Sequence, residues 1–329
     1  MSRESDALAE VLAAPDDDVP RMAYADLLVA KGDLRGEFIR TQCALTNGDV
    51  EYLEKKELRE RAARLLAANE KSWRAEAGLT DSIEVEWRRG FVDTVSLTGE
   101  QFAGELGAAL FDREPVRHAK LRINSARVAK KVAQCPHVAR ISALTVYGTL
   151  SSDGVAALLE APLNGLKGLN VGGIVDGDSL PILLQCDALG SLERLSLSGC
   201  ELQGSLAEHL PEGCALLALQ TLFAARCGLD DDDLIGLADS PLLSQLVTLC
   251  ITNNEYGVKG LRALGNSPNS ATLQSVEIDL VDEGTMQALL DATALDSLRR
   301  VMIAGYEWKL PKELRAKLRK RFGKGLRWT

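Results

Sequence analysis

The sequence predicts an α/β protein in which a solenoid of stacked strand–turn–helix repeats follows a small all-helical domain. Three observations lead to this fold class. A short apolar pattern recurs ten times at spacings of 23 to 27 residues, beginning near residue 92. The first 78 residues carry helix start and stop signals instead. Aromatic residues make up only 5% of the 329 residues, so leucine and alanine must fill the core, as suits one small unit repeated many times.

The recurring pattern is an apolar–x–apolar pair that follows another apolar residue three positions earlier. The ten pairs are Val95/Leu97, Leu121/Ile123, Leu144/Val146, Leu169/Val171, Leu195/Leu197, Leu222/Ala224, Leu249/Ile251, Val276/Ile278, Val301/Ile303 and Leu326/Trp328. The preceding apolar residues are Val92, Ile141, Leu166, Leu192, Leu219, Leu246, Leu273 and Leu298. His118 and Gly323 replace them in the second and last copies, and irregular copies are expected near the ends of an array.

Each copy predicts one short parallel strand, followed by a turn and a helix. The apolar pair points inward, and the residues beside it point outward. Polar segments at 151–154, 176–179, 229–234 and 281–284 are typical helix starts. One repeat cannot bury its own leucines, so stability comes from stacking on neighbouring repeats. Because helices are wider than strands, we expect the stack to curve, with the strands on the concave side.

The pattern resembles the leucine-rich repeat in its longer, ribonuclease-inhibitor-like form, over about residues 83–329. The clearest copies are LERLSLSGC (192–200), LQTLFAARC (219–227) and LVTLCITNN (246–254). In this family the last position carries a side chain that bonds to the turning backbone. The resemblance therefore assigns that role to Cys200, Cys227 and Asn254.

The N-terminal segment predicts four helices. The first runs over Asp6 to Ala13, and the second opens at Asp18 with Pro20 in its first turn and ends at Gly32. The third and fourth run over about 35–45 and 49–77. We therefore expect a helical domain at 1–78, a solenoid of about nine strands at 79–308, and a capping helix with the last strand at 309–329.

Three segments of this region resemble the bacterial repeat-companion domain, a module found at the front of repeat-containing proteins. They are PDDDVPRMAYADLL (15–28), GDLRGEFIRTQ (32–42) and WRRGFVDTVSL (87–97). Leu27 stands where the family usually carries tryptophan. The resemblance implies no catalytic residue; it implies a helical module that caps or accompanies a repeat domain. We interpret Tyr24 and Asp26 as residues that fix the helix packing of this module.

The net charge of −9 is unevenly distributed: residues 1–78 carry −4, residues 79–308 carry −13 and residues 309–329 carry +8. An acidic body repels phosphate, so we expect no nucleic acid on the main surface. The basic tail has one apolar stripe (Leu310, Leu314, Leu318 and Phe322), followed by Gly323. This pattern predicts a capping helix whose polar outer side could also touch an acidic partner.

The sequence favours no cofactor, metal or catalytic residue. The runs Asp16–Asp18 and Asp230–Asp233 lack the spacing of a calcium loop, and anionic residues suit helix starts, so we interpret them as caps. His118, His137 and His209 are scattered, and the glycines at 165–168 and 172–173 fit turns. Seven cysteines without CxxC spacing indicate free thiols in a reducing compartment. We found neither a membrane-spanning apolar stretch nor a secretory signal, so we expect a cytoplasmic protein.

The outward residues of the strands are the predicted partner-binding residues on the concave face. They are Lys120, Arg122, Asn124, Tyr147, Asn170, Arg194, Phe223, Cys250, Glu277, Asp279, Arg300 and Met302. Exposed arginines and aromatics are the residue types that often dominate interfaces. We therefore expect a non-catalytic protein–protein interaction scaffold. Alternatives are a partner on the helical domain or a flank, an enzyme with its site between the helical domain and the first repeats, and a regulator of a small GTPase or kinase.

Overall fold

The computed structural model describes residues 3–46, 51–210 and 214–328 of this protein. The described residues form fourteen α-helices and eleven mostly parallel strands, which confirms the predicted α/β class. The chain divides into two compact units. The first comprises residues 1–122 and 134–142, and the second comprises residues 123–133 and 143–329.

The four predicted N-terminal helices are present in the first unit. They are α1 (Arg3–Ala13), α2 (Asp18–Ala30), α3 (Leu34–Thr46) and α4 (Tyr52–Glu76). The cap of α2 lies one residue earlier than predicted, because the Asp17 side chain accepts the Val19 N–H at 2.8 Å. Gly32 follows α2 with a φ of 76°, a conformation that suits glycine. The predicted start of α4 at Asp49 falls outside the described residues.

Three strands complete the first unit: β1 (Val85–Arg88), β2 (Phe91–Thr98) and β3 (His118–Arg122). Helices α5 (Gly99–Ala103) and α6 (Glu105–Phe111) connect β2 to β3. The sequence did not predict β1, which pairs antiparallel with β2 as a hairpin, whereas β2 and β3 are parallel.

The register of β2 and β3 corrects the first two predicted repeats. Leu97 lies beside Leu121, and Val95 lies beside Ala119, whereas the apolar pattern had matched Val95 with Leu121. A shift of two residues leaves the same side chains on the buried face, because successive side chains alternate along a strand. The pattern alone therefore could not distinguish the two alignments.

The β1–β2 turn is where the three companion-like segments defined above meet. Arg89 of the turn forms an ion pair with Asp18 at 3.2 Å. Gln42 accepts the Gly90 N–H at 2.7 Å, and Arg35 Nε donates to the Gly90 carbonyl at 3.1 Å. Each segment thus contributes to holding one turn, whose Gly90 has a φ of 83°.

A buried ion pair lies beside this turn. Arg35 Nη2 donates to both carboxylate oxygens of Glu114 at 2.8 and 2.9 Å, and the side chains are 9% and 2% exposed. Glu114 also accepts the Val92 N–H at 2.8 Å. The Arg35 guanidinium stands over the rings of Trp87 and Phe91, 5.1 Å from each centroid. These contacts hold α3, β2 and the segment before β3 together.

Eight parallel strands organise the second unit. They are β4 (Ala143–Tyr147), β5 (Gly168–Asn170), β6 (Arg194–Ser196), β7 (Thr221–Phe223), β8 (Thr248–Cys250), β9 (Ser275–Asp279), β10 (Arg300–Ala304) and β11 (Leu326–Trp328). Each strand pairs with the next along the chain. One buried row runs through all of them in register: Leu144, Leu169, Leu195, Leu222, Leu249, Val276, Val301 and Leu326. The predicted parallel strands therefore lie side by side with their leucines aligned.

The helices of the second unit are α7 (Ala126–Ala133), α8 (Ser152–Leu159), α9 (Leu180–Leu184), α10 (Ser205–His209), α11 (Asp231–Asp239), α12 (Val258–Asn266), α13 (Glu283–Asp291) and α14 (Lys312–Phe322). One helix, α7, precedes β4, and the others connect successive strands of the second unit. In α14, Leu314 and Leu318 are buried as predicted, whereas Phe322 is only half-buried. Gly323 ends the helix with a φ of 54°, and the chain then enters β11.

Candidate partner-binding face

The turns after the strands are fixed by the three side chains that the repeat resemblance singled out. Cys227 Sγ lies 3.1 Å from the Leu197 carbonyl, and Cys200 Sγ lies 3.3 Å from the Val171 carbonyl. Asn254 Nδ2 donates to the Ala224 carbonyl at 2.8 Å, and its Oδ1 accepts the Cys227 N–H at 2.8 Å. Each side chain reaches the backbone of the preceding turn, so the strands are held in a common register.

The aspartate run at the start of α11 caps three helices. Asp230 caps α11 itself by accepting the Asp233 N–H at 3.1 Å. Asp233 is fully buried and accepts N–H groups at the start of α10, including Gly204 at 2.9 Å. Asp231 Oδ1 accepts N–H groups at the start of α12, including Gly260 at 2.8 Å. The predicted capping role is confirmed, and the structure adds that the caps join neighbouring helices.

On each of the eight parallel strands of the second unit, the residue directly after the buried-row residue points outward. We call the row of these eight side chains the strand face. Pairing places them side by side in the order Thr145, Asn170, Ser196, Phe223, Cys250, Glu277, Met302 and Arg327. This row alternates along each strand with the buried leucine row. It therefore faces away from the core of the unit.

Most of the predicted partner-binding residues lie on or beside the strand face. Five belong to it: Asn170, Phe223, Cys250, Glu277 and Met302. Arg194 and Arg300 stand two positions earlier on their strands, and Tyr147 and Asp279 stand two positions later. Arg194 is exposed and lies 3.9 Å from Glu193, and Tyr147 is 42% exposed. Asn124 is exposed just before α7, in the same unit.

Lys120 and Arg122 belong to the first unit, on β3. Lys120 Nζ forms an ion pair with Glu86 of β1 at 2.7 Å. Arg122 is exposed at the end of the strand.

Two of the predicted binding residues, Cys250 and Asp279, are buried or make contacts within the protein. Cys250 lies between Phe223 and Glu277 in the row and is only 5% exposed. The expectation that a partner can reach this side chain is therefore wrong. Burial also raises the pKa of the Cys250 thiol. The Asp279 carboxylate accepts the Asn253 N–H at 2.6 Å and therefore supports a turn. Burial also raises the pKa of Asp279.

Sequence reasoning named Arg300 as a binding residue but missed the three cations that lie around it at the end of the strand face. Arg299, Arg300, Met302, Lys324, Gly325 and Arg327 line a cavity of about 480 Å³. The signal was present in the repeat register, because the last apolar pair predicts that Arg327 lies beside Met302. The charge pattern of this tail predicted a capping helix whose outer side could touch an acidic partner, but it did not place Lys324 and Arg327 beside Arg300.

Two exposed aromatic residues were also missed. Tyr306 and Trp308 follow β10 and are 64% and 71% exposed. Their rings stack with centroids 5.8 Å apart, and Lys309 Nζ lies 5.5 Å from the Tyr306 centroid.

Within the first unit, one histidine and one cysteine converge. Cys135 Sγ lies 2.8 Å from His137 Nε2, which is also 2.7 Å from the Phe102 carbonyl. Both side chains are buried, and the His137 ring stacks on Phe111 with centroids 4.5 Å apart. Burial lowers the pKa of His137 and raises that of Cys135. The pair is therefore part of an aromatic core.

Two features are absent from the part of the chain that the structure describes. It contains no group of three or more His, Cys, Asp or Glu residues arranged to hold a metal ion. No helix in the same residues has the length and apolar character needed to cross a membrane. A comparison with known proteins found no family model and no curated protein that this chain matches.

Proposed function

We propose that this protein is a leucine-rich-repeat scaffold that binds a protein partner through the strand face. The observation that supports this proposal is the common register of the eight parallel strands, which brings outward side chains from eight separate chain segments into one row. Neighbouring strands lie about 4.8 Å apart, so the row extends about 34 Å. That length accommodates about ten residues of an extended segment.

The chemistry of the row suits recognition of a protein. It combines an amide, a hydroxyl, an aromatic ring, a carboxylate, a thioether and a guanidinium, contributed by Asn170, Ser196, Phe223, Glu277, Met302 and Arg327. Arg194 adds an exposed cation two positions before Ser196. Aromatic, arginine and methionine side chains are enriched at protein interfaces, and a varied set of groups gives specificity.

The helices α1 to α4 have a supporting role in this proposal. They include the first two companion-like segments. Contacts of α2 and α3 with the β1–β2 turn join helix and strand within one compact unit. We propose that they form the module that accompanies the repeats.

The proposal is tested with Phe223→Ala and Arg194→Glu. The partner is first captured from the native cell and identified by mass spectrometry, and its Kd is then measured by calorimetry with purified proteins. We expect each substitution to raise Kd at least tenfold, because Phe223 lies near the centre of the strand face and Arg194 lies beside it, two positions before Ser196. Arg262→Glu on the exposed side of α12 makes the same charge change and serves as the control, with Kd expected within twofold of wild type.

Circular dichroism establishes that each variant is folded. If Phe223→Ala and Arg194→Glu bind the partner as tightly as wild type, the strand face is not the binding surface.

A further inference from the structure

We propose that the cationic cavity at the β10–β11 end of the strand face binds an acidic segment of a protein partner. The proposal rests on the proposed function and specifies the chemistry of the partner. The term C-terminal cavity is used for the space lined by Arg299, Arg300, Met302, Lys324, Gly325 and Arg327.

The backbone brings these charges together. At Gly325, an added Cβ would lie 2.0 Å from the carbonyl oxygen of Arg299, so only glycine allows the two chain segments to approach so closely. Lys324 and Arg327 flank this contact, and Arg327 lies beside Met302 in the strand register. Arg327 Nη1 also donates to the Lys324 carbonyl at 2.9 Å, which orients its guanidinium at the cavity wall.

Four cations line this cavity, and none of the described residues that line it is acidic. Within the described residues, Arg299, Arg300, Lys324 and Arg327 form no ion pair, whereas Arg319 on α14 pairs with Glu307 at 2.5 Å. Close like charges without a counter-charge repel one another, and an anionic ligand removes that repulsion. Arginine binds carboxylates with paired, directional hydrogen bonds, so three arginines favour a ligand with several carboxylates.

The surroundings favour a short acidic peptide segment over a nucleic acid. Glu277 lies beside Met302 on the neighbouring strand, so a polyanion that continued along the face would meet a carboxylate. Residues 79–308 carry 30 acidic and 17 basic side chains, which repel an extended phosphate backbone. The cavity of about 480 Å³ has room for a few carboxylate side chains. The ligand chemistry is therefore a local cluster of aspartate or glutamate.

The test uses the full-length protein and a fluorescein-labelled decapeptide that alternates Glu and Gly. Its Kd is measured by fluorescence anisotropy. We expect R300E/R327E to raise Kd at least tenfold, and R300Q/R327Q to raise it by a smaller factor, because the second variant removes charge without reversing it. K317E/K320E on exposed positions of α14 makes the same charge change as R300E/R327E and should alter Kd less than twofold.

Three results would overturn the proposal. The first is an equal loss in K317E/K320E, which would show that general electrostatic attraction explains the binding. The second is peptide affinity that R300E/R327E leaves unchanged. The third is tighter binding of a labelled single-stranded RNA decamer, or of a vesicle of phosphatidylserine and phosphatidylcholine, than of the peptide, if that tighter binding also requires Arg300 and Arg327.

Failure of this inference can be told apart from failure of the proposed function. If the captured partner requires Phe223 and Arg194 but binds R300E/R327E normally, the strand face is supported and the C-terminal cavity is refuted. If the partner is indifferent to Phe223 and Arg194 and R300E/R327E still weakens the peptide, the cavity is supported and the strand face is refuted.

Discussion

The buried ion pair between Arg35 and Glu114 gives a stringent test of the first unit. We expect Glu114→Ala to reduce the free energy of unfolding by about 4 kcal/mol, because removing one partner of a buried pair leaves the other charge uncompensated and typically costs about 3–5 kcal/mol. The side chains of Arg35 and Glu114 are 9% and 2% exposed, so bulk solvent gives the unpaired guanidinium little screening. The substitution also leaves the Val92 N–H without its acceptor.

The measurement is urea unfolding followed by tryptophan fluorescence. Trp73 and Trp87 report on this site, since the Arg35 guanidinium lies 5.7 and 5.1 Å from their ring centroids. The matched control is Glu37→Ala, which breaks the ion pair with Arg61 between α3 and α4. Both of its side chains are well exposed, so we expect a cost of about 0–1 kcal/mol.

A double substitution separates the cost of an unpaired charge from the cost of altered packing. Arg35→Met with Glu114→Leu removes both charges and keeps apolar bulk in place, and such replacements are often close to neutral. The double variant should therefore be more stable than Glu114→Ala alone. The reasoning is refuted if Glu114→Ala costs no more than Glu37→Ala, or if the double variant is the less stable of the two.

Three further predictions concern a cap, a turn and a buried histidine. Asp231→Ala should lower the free energy of unfolding by about 1 kcal/mol, a typical loss for a helix cap. Asp232 is exposed, so Asp232→Ala should lower it by less. Equal losses in urea unfolding would contradict capping across helices. Gly90→Ala should lower the melting temperature, because its Cβ would lie 2.2 Å from Ile39 Cγ1 at a φ of 83°. A melting temperature equal to that of wild type would contradict this. Burial lowers the pKa of His137 in the folded state, so the unfolded state takes up a proton first as pH falls below about 6.5, and stability is lost. His137→Gln should lose less stability between pH 7 and pH 5 than wild type does, and an equal loss would argue against this account.

The repeat pattern was predictable because it depends on local rules. Alternation along a strand assigns Leu195, Leu222 and Leu249 to the inner row whatever lies next to them, and the structure aligns all three. The cap at Asp230 was predictable for the same reason, since it acts within its own helix. The reach of Asp231 and Asp233 to neighbouring helices was not, because it depends on how repeats stack.

The candidate site was only partly predictable. Alternation placed Phe223 and Glu277 on the outward row, but it could not show that Cys250 between them is almost fully buried. Accessibility depends on the size of neighbouring side chains on adjacent strands, which no single segment contains. Asp279 was likewise expected on the surface, whereas its carboxylate accepts the N–H of a residue in the preceding turn.

The sequence by itself determined the α/β class, the spacing of the strands and the positions of the first helices, because hydrophobic periodicity and helix capping act over a few residues. Only the tertiary structure decided the register of β2 on β3, the antiparallel β1 and the burial of Arg35 with Glu114. It also decided which four cations surround the C-terminal cavity. These features depend on contacts between residues far apart in the chain, and the free energy of such contacts depends on three-dimensional packing, which local patterns do not encode.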